Sequence, residues 1–174
     1  NGARDVTKSN TYRVEAFRSG ELGFLGYVDA DRVRFYRTST RRHTTRSEFD
    51  VSTLSSLPKV EILHSYLEAG TTPIKALGEA GVAGIVFAGT GSGSLSDPER
   101  AAVKAMPASA SGQRPILVRT SRTGNGRVIP RKEYDAEGFV PGDNLNPQKA
   151  RVLLMLALTR TRDIDEIRRM FMEY

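Results

Sequence analysis

The sequence predicts an α/β fold, a small parallel sheet flanked by helices. Two observations carry this reading. After Pro58, short apolar runs alternate with helical stretches in the order strand, helix, strand, helix, strand, the signature of a parallel sheet with helices packed on it. A glycine-rich run, Gly89 to Ser94, then joins the second strand to a capped helix. That is where open α/β sheets place their ligands.

Residues 1–57 differ from the rest, being rich in Arg, Thr and Ser, and a boundary is placed near Leu57. Within them, GYVD at 26–29 and RVRFY at 32–36 predict a hairpin turning at 29–31. VEILH at 60–64 reads as the first strand of the sheet. Thr72-Pro73 opens a helix over 74–80 with proline in the first turn, and Gly81 stops it. IVFA at 85–88 is a short buried strand. Ser96 and Glu99 have capping-box spacing before a helix over 100–106, and ILVRT at 116–120 is the third strand. Asn146 as N-cap and Pro147 as the first helical residue start a helix to 158. Its run Val152 to Leu158 is apolar around most of the circumference, so burial on more than one side is expected. Asp163 with Glu166 caps a last helix, with Ile164, Ile167, Phe171 and Tyr174 along one face.

Composition narrows the chemistry. Of 174 residues, 39% are hydrophobic, and no apolar run approaches the ~20 residues that span a bilayer. There is no cysteine, which excludes disulfides, thiolate chemistry and Cys-based zinc sites. Only His43 and His64 are present, which excludes a multi-histidine metal centre. The net charge of +6 permits nucleic-acid binding without requiring it. The chain begins NGARDV without an initiator Met, and the expectation is a processed or partial product whose export signal, if one existed, is already removed.

Three constellations could carry function. GTGSGS at 89–94 lets backbone approach a ligand closely and precedes a helix N-terminus, which favours anions. It lacks the glycine spacing of a dinucleotide fingerprint and the lysine of a P-loop. The chemistry alone leaves it open between a ligand cradle and a plain connecting loop. SRTGNGR at 121–127 holds an Asn-Gly turn, open between a structural hairpin and a ligand contact. Arg32, Arg34, Arg37, Arg41, Arg42 and Arg46 surround Phe35 and Tyr36. They read either as a phosphate-binding arm or as a solvated one. No serine lies in a G-x-S-x-G elbow.

The longest specific motif, NLNPQKARVLLMLAL at 144–158, resembles the C-terminal half of bacterial type II L-asparaginases and glutaminase-asparaginases. AGTGSGS at 88–94, SRTGNGRV at 121–128 and IRRMFMEY at 167–174 are similar to the same half. ARDVTKSNT at 3–11 resembles the end of that family's N-terminal domain, and ELGFLGYVD at 21–29 with LPKV at 57–60 its linker. The resemblance therefore implies 1–22 as the end of the catalytic domain, 23–57 as linker and 58–174 as the C-terminal α/β domain. It implies hydrolysis of L-asparagine, and of L-glutamine as well, to the acid and ammonia, without metal or cofactor. The family's nucleophilic Thr lies in the N-terminal half, so no catalytic residue is expected here and 1–174 alone should be inactive. Asn1 cannot substitute as nucleophile, having neither hydroxyl nor thiol.

Two substrate-binding residues carry over from the resemblance. Ser94 matches the glycine-loop position lent to a neighbouring subunit's site. Glu133 matches the carboxylate that holds the substrate's α-ammonium, with Glu137 as the alternative. The resemblance further implies a homotetramer built from two intimate dimers, association with the N-terminal half of the subunit, no nucleic-acid or membrane partner, and a periplasmic or secreted location. The rival readings are a basic α/β module binding nucleic acid or a phosphorylated ligand, and a non-catalytic relative. A TGGTIA-like strand-turn upstream of Asn1 would separate the enzyme from the latter.

Overall fold

The computed structural model describes residues 1–110 and 112–174, which form two compact units: residues 1–47 with Tyr174, and residues 48–173. The first unit holds two antiparallel pairs, β1 (Thr7–Lys8) with β2 (Phe17–Arg18) and β3 (Gly26–Val28) with β4 (Val33–Phe35). The second pair is the expected hairpin, closed where Asp29 N–H donates to Arg32 O. Few side chains are buried in this unit, and Tyr12, Val14 and Phe17 are exposed.

The second unit holds the core. A four-stranded parallel sheet runs in the order β5 (Val60–His64), β6 (Gly84–Gly89), β7 (Ile116–Ser121), β8 (Phe139–Pro141). Every residue of β6 and β7 is buried, as a parallel sheet covered on both faces requires. On one face Ile85, Phe87 and Leu117 pack with Ile74 of α1 (Thr72–Glu79) and with Val103 and Met106 at the end of α2 (Asp97–Ala105). Tyr134 of the short α3 (Lys132–Asp135) and Phe139 complete that cluster. On the other face lie α4 (Pro147–Ala157) and α5 (Ile164–Glu173). Side chains alternate between faces along a strand, so Leu117, Arg119 and Ser121 share the α1–α2 side.

Local chemistry sets the helix ends. Gly81 takes φ +63° and stops α1, a conformation glycine enters without a Cβ penalty. Both halves of the Ser96–Glu99 capping box form, and Glu99 also accepts a bond from the Ser65 hydroxyl at 2.8 Å. Asn146 Oδ1 accepts the Lys149 amide at 2.9 Å. Asp163 Oδ1 accepts the amides of Asp165 and Glu166. The Glu166 side chain bonds Arg169 at 3.1 Å.

Two departures from expectation have physical causes. The sheet has a fourth strand, β8, too short and too close to Pro141 to produce a periodic signal. In α4 the buried stripe is Ala150, Leu153, Leu154 and Ala157, with Val152 exposed. A helix lying on a sheet turns one stripe inward whatever its remaining residues, so burial on all sides is not required.

Glu137, between α3 and β8, ties this region to α2. It bonds Arg100 at 2.5 Å and Lys104 at 3.0 Å. The Arg100 hydrogen bond, opposed by burial and helped by Lys104, holds the Glu137 carboxyl below the usual carboxylate range. Its stabilisation is present above the unfolded-state value and is lost as pH falls through the lowered folded value. Glu137→Gln is therefore expected to cost about 1 kcal/mol at neutral pH. The gap from wild type should begin to close as pH falls below about 4.3 and vanish only below the lowered folded value. Urea unfolding across pH checks this; a gap that stays constant into acid would contradict it.

Candidate functional site

Because all four strands run parallel, the loops that follow them gather at one edge of the sheet. The glycine loop after β6 closes on itself: Thr90 N–H donates to Ser94 O at 3.0 Å and Ser94 N–H to Thr90 O at 2.8 Å. The closure needs glycine at Gly89 and Gly93. A Cβ on Gly89 would stand 2.5 Å from the Gly93 backbone. One on Gly93, at φ +79°, would stand 2.9 Å from Val128.

The loop's hydroxyls divide into used and unused. Ser92 Oγ accepts a bond from Arg131 at 2.5 Å, Ser96 Oγ donates to Glu99, and Thr90 Oγ1 donates to Ser94 O. Ser94 is half-buried, and its hydroxyl bonds to none of the described residues. It is a fixed polar group that the fold itself does not consume.

The expected anion preference of the following helix is not available to a ligand. Its first turn carries Asp97 and Glu99, and the Glu99 carboxylate occupies the capping position. The helix supplies its own anion, which removes the physical basis for phosphate binding there.

The loop after β7, residues 122–131, is pinned at several points. Ser121 Oγ donates to Gly91 O at 2.5 Å, and Arg122 N–H donates to Gly89 O at 3.0 Å. Arg122 Nη1 donates to Ser65 O at 2.9 Å, reaching the loop after β5. Arg127 pairs with the buried Asp143 at 2.5 Å, and Val128 N–H donates to Asp143 O at 2.9 Å. The Asn125-Gly126 segment therefore forms no hairpin of its own: Gly126 takes φ +97°, and Val128 pairs with Asp143 instead of with a returning strand.

Glu133 and Glu137 sit in different environments. Glu133, on α3, is exposed and makes no hydrogen bond or ion pair with the described residues. Glu137 is committed to Arg100 and Lys104. Tyr134, next to Glu133, faces inward, and its hydroxyl accepts the Leu95 amide at 3.0 Å. Two links thus join α3 to the glycine loop, Arg131 to Ser92 and Tyr134 to Leu95, and bring the neighbourhoods of Ser94 and Glu133 together.

A third link was invisible in the sequence. Arg119, 1% exposed, donates to Gly93 O at 3.2 Å and to Ile129 O at 2.9 Å. Its guanidinium carbon lies 3.9 Å from the centroid of the Tyr134 ring. Burial pushes its pKa down, with Tyr134 opposing. A lone Arg in ILVRTS gives no hint of this, because its partners are backbone carbonyls far along the chain.

The other sequence candidates are placed elsewhere. Within the first unit, Arg37 bonds the carbonyls of Leu22 and Phe24, Arg32 and Arg34 face Asp31, and Arg42 lies over the Tyr174 ring. Arg46 reaches Arg41 O. These contacts are local to the first unit, and Arg32, Arg34, Arg37 and Arg46 stay exposed while making them. His43 bonds the adjacent Thr44, and His64 is exposed at the end of β5. A cavity of about 540 Å³ opens at the opposite edge of the sheet, beside Ile116 and Gly138, and neither Ser94 nor Glu133 lines it.

Residues 59–171 match the Glutaminase/Asparaginase C-terminal domain. The chain is 45% identical to L-asparaginase 2 of Bacillus subtilis, covering 99% of this chain and 44% of that protein. It is 41% identical to the glutaminase-asparaginase of Pseudomonas fluorescens, covering 98% and 47%. Among solved structures, one described as "Probable Cytoplasmic L-asparaginase from Campylobacter jejuni" superposes with a TM-score of 0.88 at 41% identity, covering 98% of this chain and 52% of that one. The chain thus spans about half the length of the relatives it matches. With the parallel sheet described above, these matches show that this chain is a member of the glutaminase/asparaginase family and carries its C-terminal domain.

Proposed function

We propose that the complete protein is an amidohydrolase converting L-asparagine, and L-glutamine as well, to the acid and ammonia. Residues 1–174 supply substrate-binding loops to the site of a neighbouring subunit. One observation carries this reading: Ser94 and Glu133, the two positions that the resemblance puts on substrate, make no hydrogen bond or ion pair with the described residues and lie on segments that the fold ties together. The nucleophilic Thr comes from the N-terminal half, and the site is completed across subunits of a homotetramer made of two intimate dimers. Residues 1–22 are the end of the catalytic domain, 23–57 the linker and 58–174 the C-terminal domain. The exposure of Tyr12, Val14 and Phe17 supports this, since apolar side chains of that size are normally covered by a core. A periplasmic or secreted location is proposed from the likeness to type II enzymes.

In this reading Glu133 holds the substrate's α-ammonium by a charge-assisted hydrogen bond, and Glu137, already paired with Arg100, does not. Ser94, whose side chain is small, leaves room for the longer glutamine side chain. In the complete enzyme, Glu133→Ala should cost ~1.5–3 kcal/mol of binding, roughly a ten- to hundredfold fall in kcat/KM. Glu137→Gln should leave KM unchanged. Steady-state kinetics of both variants decide, and an unaltered Glu133→Ala would sink the assignment. Ser94→Asn should shift the ratio of kcat/KM toward asparagine over glutamine; a ratio equal to wild type would count against the role of Ser94.

A further inference from the structure

We infer that Arg119 is the positioning residue that sets the separation between the two substrate-binding loops; this rests on the reading of Ser94 and Glu133 given above. Its two hydrogen bonds and its stacking contact fall on three separate segments. Nη1 holds Gly93 O, one residue before Ser94. The guanidinium lies on Tyr134, one residue after Glu133. Nη2 holds Ile129 O, in the chain that leads from β7 to α3. A shift of Arg119 therefore moves both candidate substrate contacts at once.

Packing alone does not account for an arginine here. Its strand neighbour in register is Phe87 and its ring contact is Tyr134, both members of the apolar cluster on this face, which an aliphatic residue would join at lower cost. Among the described residues no carboxylate bonds the buried guanidinium, and its Nε has no hydrogen-bond partner. The protein therefore bears the desolvation of a cation for two carbonyl bonds and one ring contact. Only a planar fork makes all three; a lysine ammonium presents a single point charge with no flat face to stack.

The test uses the complete enzyme. Arg119→Lys keeps charge and approximate volume but cannot bridge the three segments. Arg114→Lys serves as comparison, since Arg114 caps the end of α2 by bonding the carbonyls of Val103, Lys104 and Met106, away from the site. Arg119→Lys is expected to raise KM for asparagine about tenfold with little change in kcat, because an interaction equal in ground and transition states is lost. The thermal shift produced by the product L-aspartate should shrink in step. Arg114→Lys should lower Tm without changing KM. If Arg119→Lys fails to fold, Tyr134→Leu removes the stacking face while keeping Arg119, and the same rise in KM is expected. An unchanged KM in Arg119→Lys, or loss of folding in both variants, would overturn the inference and leave Arg119 a purely structural residue. If Glu133→Ala and Ser94→Asn are silent, the function reading itself falls. If they act while Arg119→Lys leaves KM alone, only this inference falls.

Discussion

Strand β7 carries Arg119 into the protein on the same face as Leu117, at the end of the sheet where the connecting loops gather. There no carboxylate among the described residues hydrogen-bonds its guanidinium. It is held by the carbonyls of Gly93 and Ile129 and by the face of Tyr134. Bonds between a charged donor and neutral acceptors in a low-dielectric setting are stronger than their counterparts in water, and expensive to leave unmade. This cost is what makes the contact directive. Once β7 is formed, the glycine loop, the 122–131 loop and α3 have to close over Arg119 for its charge to be satisfied.

The other ties at this edge follow the same logic on a smaller scale. The Asp143 carboxylate is buried and answered by Arg127, Glu99 is buried and answered by Ser65 and Ser96, and Tyr134 buries its hydroxyl against the Leu95 amide. Each polar group taken out of water fixes one loop to another. The consequence is a pinned platform on which Ser94 and Glu133 are among the polar groups without a hydrogen bond or ion pair to the described residues. Rigidity of this kind is what a binding site requires, since holding a ligand by groups that first have to be ordered wastes part of the interaction. The anion-favouring end of α2, by contrast, is filled by the protein's own Glu99, which turns the edge away from phosphate ligands.

Much of the frame can be read directly from the chain because it is local. The Ser96–Glu99 box, the Asn146-Pro147 start and the Gly81 stop each act within one helical turn, and all three form as their spacing implies. Strands β5 to β7 declare themselves as apolar runs between turn residues. What escapes is non-local. β8 and α3 are too short to carry a period, and they exist because the sheet and Arg119 give them something to pack against. The Asn125-Gly126 pair invites a hairpin, yet Asp143 takes the pairing that a returning strand would have had. For the site, Ser94 and Glu133 are legible through resemblance to a family, whereas their availability depends on which neighbouring hydroxyls and carboxylates the fold consumes.

The roles of Ser94 and Glu133 depend on whether these two segments touch substrate. A crystal structure of the complete protein with L-aspartate bound measures this directly. The Glu133 carboxylate should lie within hydrogen-bond distance of the ligand's ammonium, and the Ser94 hydroxyl should face its side chain, with Arg119 still bridging Gly93, Ile129 and Tyr134. A ligand seated with no contact to residues 89–94 or 131–137 of any subunit would contradict it.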